Sequence, residues 1–195
     1  MGALLKTNAQ EIILIRHAKV AQDHSGWMGV KKARQLHRSY DTSPIHQFSS
    51  DSVLAKIPAR QTDTVYVSGL PRSIGTGIKL FGETATLVSM DLFNEFDMHI
   101  AGIPLFLPYK GWTGISRILW LAGAKKRGVE SFAEAKERVE LAANFIEEKV
   151  KNRQQIILVT HGFINRNISK ELKKRGWKIV QNNGKENLGA TVLRK

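Results

Sequence analysis

The chain has 195 residues, no cysteine and a formal net charge of +13 at pH 7. This length suits one domain with a proper core, and the lack of cysteine excludes disulfides, thiolate metal ligands and a cysteine nucleophile. No apolar run approaches the roughly 20 residues that cross a bilayer, and the first residues do not resemble a signal peptide. We therefore expect a cytoplasmic protein whose charge attracts anionic ligands.

Short strand-like runs predict five strands in chain order. These are Ile12–Ile15, Thr64–Val67, Thr86–Val88, Ile156–Val159 and Ala190–Leu193. Helical patterns lie between them, from Pro71 to about Phe81, from Ser131 to about Val150, and from Gly162 to a residue before Gly176. Ser131 and Glu134 have the spacing of a capping box. Strands that alternate with helices predict the α/β class, as a three-layer α/β/α sandwich with a mostly parallel central sheet.

We expect a single domain over residues 1–195, with an insertion at about 100–128. Two prolines break the alternation there, and apolar residues then follow at helical spacing. Such insertions often cover a site. Packing against the core is favoured over a helix that lies on a membrane, and Lys110, Trp112 and Arg117 are predicted to contact substrate at the rim of a site.

Two basic clusters occur at Lys125–Arg127 and Lys173–Arg175. Both lie near predicted helix ends, where cations interact favourably with the helix dipole. We interpret them as solvated helix termini.

Polar side chains follow four of the predicted strands. Arg16 and His17 follow the first, Arg72 lies in the first turn of the helix after the second, Glu95 comes after the third, and His161 follows the fourth. The carboxyl ends of parallel strands meet at one edge of a sheet, so these side chains should lie close together. Two histidines beside anion-binding groups indicate phosphoryl chemistry on a histidine.

This set of residues resembles the histidine phosphatase superfamily, also called the phosphoglycerate mutase-like family. The family motifs appear here in order as Arg16-His17-Ala18, the segment from Ser68 to Thr76, Asn94-Glu95 and His161-Gly162. Ala18 replaces the usual glycine, which should be tolerated unless the backbone there needs a positive φ. The loop at residues 19–25 also departs from the family pattern, so its contacts to substrate do not carry over.

The resemblance implies a role for each matching residue. His17 would be the nucleophile, which takes a phosphoryl group and passes it to water. Arg16 and Arg72 would hold the phosphate oxygens, and His161 would complete the clamp in a protonated form when phosphate is bound. Backbone N–H groups at the starts of the two following helices would add donors. We expect such a basic cage to need neither a metal ion nor another cofactor.

Glu95 would be the general acid. Asp97, two residues on, would share its face in an extended segment and is the alternative. Lys19 is a further predicted substrate contact. The other four histidines have no matching context, although the loops that carry two of them could bring them near the site; the four are His24 and His99, on those loops, and His37 and His46.

The predicted activity is metal-independent hydrolysis of phosphate monoesters through a phosphohistidine on His17. One alternative is phosphoryl transfer of the phosphoglycerate mutase type, although this compact chain has no evident match to the extra segments of such mutases. Another is a non-catalytic protein that binds anions or nucleic acid on the same scaffold, which the complete catalytic set argues against. The expected partners are a phosphorylated small molecule and inorganic phosphate, without a metal, a membrane or nucleic acid.

Overall fold

The computed structural model describes residues 10–59, 62–124, 127–151 and 153–195. Its strands are β1 (Glu11–Arg16), β2 (Trp27–Gly29), β3 (Thr64–Ser68), β4 (Thr86–Met90), β5 (Phe106–Pro108), β6 (Gln155–Thr160), β7 (Lys178–Asn182) and β8 (Ala190–Arg194). Its helices are α1 (Val30–Ser39), α2 (Ser50–Leu54), α3 (Pro71–Phe81), α4 (Tyr109–Leu121), α5 (Phe132–Lys151) and α6 (Gly162–Lys174), and a short 3₁₀ helix covers Asp91–Phe93.

Six strands form the central sheet, in the order β4-β3-β6-β1-β8-β7. Parallel pairing joins β4 to β3, β3 to β6 and β6 to β1, whereas β8 pairs antiparallel with both β1 and β7. All five predicted strands lie in this sheet, so the mostly parallel architecture is confirmed. The edge strand β7 was not predicted, because exposed and half-buried residues alternate along it without an apolar run.

The two faces of the sheet are covered by different helices. Along β1, Ile12 and Leu14 pack into a core with α5 and α6, whereas Ile13 and Ile15 pack into a second core with α2 and α3. This alternation follows from the two-residue period of a strand. Because both faces are apolar and covered, β1 and β6 read as continuous apolar runs, and the three-layer sandwich is confirmed.

The predicted helices begin and end close to the expected positions. Pro71 opens α3, where its missing N–H is not needed. At the start of α5 the Ser131 N–H donates to the Glu134 carboxylate (2.6 Å) and the Ser131 hydroxyl accepts from the Glu134 N–H (3.3 Å), which is the predicted capping box. In the part of the chain that the structure describes, no helix is long and apolar enough to cross a membrane.

The described part of residues 100–128 packs together with a segment for which no strand or helix was predicted. β2 and β5 form a two-stranded antiparallel sheet, and α1 and α4 share a third apolar core with it. Trp112 is fully buried in that core and donates from Nε1 to the Met28 carbonyl (2.8 Å). The prediction that Trp112 contacts substrate is therefore wrong: its ring fills the core below α4. Lys125 and Lys126, from one predicted basic cluster, lie outside the described residues.

Candidate active site

The predicted site residues converge at the carboxyl edge of the sheet. Arg16 ends β1 and His17 directly follows it, His161 directly follows β6, and Arg72 is the second residue of α3 after β3. The β1–β6 register continues past the strands, because the His17 N–H donates to the Thr160 carbonyl (2.9 Å). The imidazole rings of His17 and His161 consequently lie with centroids 5.0 Å apart.

His17 has the protonation state of a nucleophile. Its Nδ1 lies 2.6 Å from the Ala18 carbonyl oxygen. A carbonyl only accepts, so Nδ1 carries the proton and Nε2 keeps its lone pair. Burial lowers the pKa of His17 to about 3, helped by the charges of Arg72 and Arg16 and opposed by the bond to Ala18. The ring is therefore neutral at pH 7, and it is only 3% exposed.

Ala18 fits the backbone without strain. Among the described non-glycine residues a positive φ occurs only at Leu188, so the position of Ala18 does not demand glycine. The Ala18 N–H donates to the Thr76 hydroxyl (2.9 Å), which in turn donates to the Arg72 carbonyl (2.6 Å). Thr76, the last residue of the second motif, thus fixes the turn that carries His17 to α3.

His161 is completely buried and is held as the opposite tautomer. Its Nδ1 accepts from Nε of Arg72 (3.2 Å), so the proton is on Nε2, which lies 2.7 Å from the Ser68 hydroxyl and 3.2 Å from the Ser73 hydroxyl. The Ser68 hydroxyl donates onward to Oδ1 of Asn94 (2.8 Å). Burial, followed by the charge of Arg72, holds the pKa of His161 well below 6.5. This structure therefore holds a neutral His161, and a protonated form in the phosphate complex stays a prediction.

Arg72 already binds an anion. Its Nη1 donates to Oδ1 of Asp41 (2.5 Å), and its guanidinium lies 4.9 Å from the centre of the Tyr40 ring. Arg72 is 5% exposed, whereas more than half of the Asp41 side chain is exposed. Tyr40 and Asp41 lie in the turn after α1 and were not predicted. Asp41 occupies a donor of Arg72 that a phosphate oxygen would need.

Arg16 keeps one donor free. Its Nη1 donates to the Lys185 carbonyl, while Nε is buried and has no hydrogen-bond partner. A Cβ at residue 162 would come within 3.2 Å of that Nε, so the glycine of the His161-Gly162 motif makes room for the arginine. Buried donors without a partner are uncommon.

Glu95 has a structural partner that the sequence did not reveal. Its carboxylate accepts from the N–H groups of Phe163 (3.0 Å), Ile164 (3.0 Å) and Phe96 (3.1 Å), and so it caps the N-terminus of α6. The prediction that N–H groups after Gly162 bind phosphate is therefore wrong for Phe163 and Ile164, because both already donate to Glu95.

Asp97 has more freedom than Glu95. One of its oxygens accepts from the Met98 N–H (2.8 Å), and the side chain is exposed. Both carboxylates line the same cavity, so each is placed to reach a substrate there.

A cavity of about 800 Å³ adjoins this cluster, and we call it the reaction cavity. Arg16, Arg72 and Glu95 line it, whereas the buried His17 and His161 do not. Its outer wall comes from the α1 and α4 region and includes His24, His37, Tyr40, Asp41, Tyr109, Lys110, Thr113 and Arg117. Lys110 and Arg117 thus lie where a rim contact was predicted. Lys19 and His99 are not among its lining residues, and Lys19 is exposed.

Within the described residues, no group of three or more His, Asp or Glu side chains is arranged to hold a metal ion.

Two side-chain contacts in the wall of the reaction cavity could not be predicted from the sequence, because they join distant segments. The His24 ring stacks on Tyr109 at 4.4 Å, and Nε2 of His37 lies 2.8 Å from the Met98 carbonyl.

The sheet order and the polar cluster at its carboxyl edge define a histidine phosphatase-like α/β protein. The family model of the histidine phosphatase superfamily (branch 1) matches residues 12–194, and the chain belongs to that superfamily. Comparison with curated protein sequences gave no significant match.

Solved structures share the fold at low sequence identity. The phosphoserine phosphatase of Entamoeba histolytica, solved with 3-phosphoglyceric acid, is 18% identical over 94% of this chain and 89% of its own, with a TM-score of 0.59. A mycobacterial glucosyl-3-phosphoglycerate phosphatase is 18% identical over 85% and 80%, with a TM-score of 0.56. The same mycobacterial phosphatase in complex with VO3 gives a TM-score of 0.55 at 18% identity, over 85% and 82% of the two chains.

Acid should destabilise this protein through its buried histidines. The pKa of His17 is about 3 in the folded chain, and that of His161 is also lowered from 6.5. Below pH 6.5 the unfolded chain binds more protons, so the stability that is fully present above this pH is lost as the pH falls towards 3. The slope approaches about 1.4 kcal/mol per pH unit for each histidine.

Urea unfolding at pH 7, 6 and 5 in a phosphate-free buffer measures this loss. The free energy of unfolding should fall less steeply with acid in His17→Asn than in the wild-type protein. Equal slopes would contradict the lowered pKa of His17.

Proposed function

We propose that this protein is a phosphatase that hydrolyses phosphate monoesters through a phosphohistidine intermediate on His17. The observation that carries the proposal is the neutral His17 ring, with its proton on Nδ1 and a lone pair on Nε2, beside Arg16 and Arg72. Phosphoryl transfer depends mainly on positioning and on stabilisation of charge. A lone pair flanked by two permanent cations supplies both.

Binding comes first, and we propose that substrate phosphate replaces Asp41 on Arg72. In support, Asp41 is exposed and contacts the outer nitrogen Nη1, so an entering dianion competes for the same donor. The free Nε of Arg16 takes another phosphate oxygen. The His17 ring is only 3% exposed in this structure, so substrate binding must also open a path to it.

In the first chemical step, the Nε2 lone pair of His17 forms a bond to phosphorus as the ester P–O bond breaks. The leaving oxygen takes the pair of electrons from that bond and a proton from the general acid, for which Glu95 is proposed. In the second step, water attacks phosphorus, the P–N bond breaks, and its electrons return to Nε2. The same carboxylate accepts the proton of the water, and inorganic phosphate is released.

His161 and the insertion support these steps. We propose that negative charge in the reaction cavity raises the proton affinity of His161, so that Nδ1 takes a second proton when phosphate is bound. Because Nδ1 accepts from Nε of Arg72 in this structure, that hydrogen bond breaks in the same step. We propose that the described part of residues 100–128, within a single domain, covers the cavity, because Lys110 and Arg117 from α4 line it. A cytoplasmic location stays a prediction.

Release of inorganic phosphate tests the proposal most simply. The substrates are p-nitrophenyl phosphate, phosphoserine and 3-phosphoglycerate, and the last two are chosen because they appear in the names of similar structures. For each ester, the rate of hydrolysis should be the same with and without EDTA. Transfer of the phosphoryl group to another hydroxyl of 3-phosphoglycerate, without release of phosphate, would favour the mutase alternative. Activity that EDTA abolishes would contradict the metal-independent mechanism.

Glu95→Gln is expected to slow poor leaving groups selectively. Glutamine keeps a carbonyl oxygen that caps α6 but has no acidic proton to donate. Phosphoserine hydrolysis should fall by about a hundredfold or more, whereas hydrolysis of p-nitrophenyl phosphate, whose leaving group needs no proton, should fall by less than about tenfold.

Asp97→Asn is the matched comparison for Glu95→Gln. Asp97 lines the same cavity but does not cap α6, so this change should affect both esters little. If Asp97→Asn shows the selective loss and Glu95→Gln does not, Asp97 is the general acid. Melting temperatures of both variants report any loss of the α6 cap.

A further inference from the structure

A second cavity, of about 630 Å³, adjoins the reaction cavity at Arg16 and Glu95. Helix α6 contributes Arg166, Lys170 and Lys173 to its lining, and the turn between β7 and β8 contributes Lys185. We call this cavity the α6 groove. Nothing in the proposed reaction uses these four cations.

The four cations of the α6 groove lack anionic partners. All are exposed, and none makes an ion pair or a side-chain hydrogen bond within the part of the chain that the structure describes. The nearby basic cluster behaves differently: Lys174 pairs with Glu171 (2.8 Å), and Arg175 pairs with Glu147 (3.1 Å). Of the predicted cluster at 173–175, only Lys173 therefore keeps an uncompensated charge, and it lines the groove.

Nearby charges do not neutralise the groove. Among the described residues that line it, the one carboxylate is that of Glu95, whose oxygens already accept three backbone N–H groups. Arg166, Lys170 and Lys173 follow one another at spacings of four and three residues, so like charges share one face of α6 and repel. A bound anion would relieve this repulsion.

Arg16 connects the α6 groove to the reaction cavity. Its Nη1 donates to the carbonyl of Lys185, and its Nε is a buried donor without a partner. The groove thus has four peripheral cations, and Arg16, which lines both cavities, adds a fifth positive charge where they meet.

We infer that the α6 groove is a binding site for a short oligophosphate. Arg166 and Lys173 are about 10 Å apart along the helix axis, at 1.5 Å per residue, which suits a few linked phosphate groups better than a single one. Linked phosphates place several negative charges against the four cations at once. This inference goes beyond the proposed reaction, because binding in the α6 groove requires no turnover.

Nucleic acid fits this groove less well. Single strands bind through bases stacked on open aromatic faces, and Phe163 is the one aromatic residue among the described residues that line the groove. Its ring is already packed against Phe96 at 5.4 Å, and Arg117 lies 4.8 Å from its centre. No ring is left for a base.

Calorimetric titration with inorganic tripolyphosphate at fixed ionic strength tests the site. The double variant Lys170→Gln/Lys173→Gln should bind it about tenfold more weakly or worse, as expected for loss of charged contacts. Lys31→Gln/Lys32→Gln removes two exposed charges from α1 and is the matched control, expected to bind like wild type. Equal losses in the two variants, or no loss in the first, would overturn the inference.

Two further measurements separate this site from its alternatives. The KM for p-nitrophenyl phosphate should be unchanged in the groove variant, because a small monoester occupies only the reaction cavity. If wild-type protein hydrolyses no ester, the proposed function fails while the titration still decides the groove. A single-stranded oligonucleotide is titrated in the same way. If it binds more tightly than tripolyphosphate and this binding is lost in the groove variant, the ligand of the α6 groove is nucleic acid and the oligophosphate inference is overturned.

Discussion

Replacement of His17 by alanine is expected to abolish hydrolysis of phosphate monoesters while binding of inorganic phosphate persists. The alanine variant has no nitrogen lone pair to form the P–N bond, so kcat should fall by at least about a thousandfold. Arg16 and Arg72 remain as donors to the phosphate oxygens. Steady-state kinetics with p-nitrophenyl phosphate, together with product inhibition by phosphate, measures both effects.

The control for this variant is His46→Ala. His46 is exposed and does not line the reaction cavity, so its loss should leave kcat unchanged. If His17→Ala retains the wild-type kcat, or if phosphate no longer binds to a folded variant, the assignment of His17 as nucleophile is contradicted.

Arg72→Ala is expected to weaken both binding and turnover. The side chain donates to His161 and to Asp41 at the same time, and removal leaves Nδ1 of a fully buried histidine without its donor. We expect kcat/KM to fall by about a hundredfold to a thousandfold, as when one preorganised donor is removed from a transition state. Arg72→Lys should recover part of this loss, because it keeps the charge but not the planar fork.

Asp41→Asn tests whether Arg72 acts by binding phosphate or by holding its ion pair with Asp41. It breaks the ion pair of Arg72 but leaves the guanidinium in place. Because Asp41 competes with phosphate for that group, the variant should have an unchanged or lower KM. A loss of activity as large as that of Arg72→Ala would mean that the ion pair, rather than phosphate binding, explains the effect of Arg72.

The sequence predicted β1 and β6 because burial on both faces of the sheet leaves continuous apolar runs. Ile12–Ile15 and Ile156–Val159 are continuous apolar runs, and they pair residue for residue in the structure. The cluster of His17, Arg72 and His161 could be predicted for the same reason, since each follows such a strand directly or through one tight turn.

Short elements and long-range polar pairs could not be predicted in this way. β2 and β5 have three residues each, too few to show the two-residue period of a strand. α1 has a single buried residue, Ala33, so it carries no apolar stripe of the kind that marks α5. The partner of Arg72 lies 31 residues before it, in a turn without a motif.

Two predicted side-chain roles changed for physical reasons. Trp112 was expected at the rim of the site. Burial of its large apolar ring in the third core stabilises the fold, and its Nε1–H donates there to the Met28 carbonyl. Glu95 was predicted as the general acid, and the structure adds a second contact, because its carboxylate caps α6 across a sequence separation of 68 residues. Spacing along the chain gives no sign of such a contact.

Direct detection of a phosphorylated histidine is the most stringent measurement. Wild-type protein mixed rapidly with p-nitrophenyl phosphate, quenched in alkali and analysed by intact mass and peptide mapping should carry one phosphoryl group on Nε2 of His17, formed and lost within a turnover. The His17→Ala variant should carry none. Turnover without a phosphorylated protein, or a phosphoryl group on any residue other than His17, would contradict the mechanism.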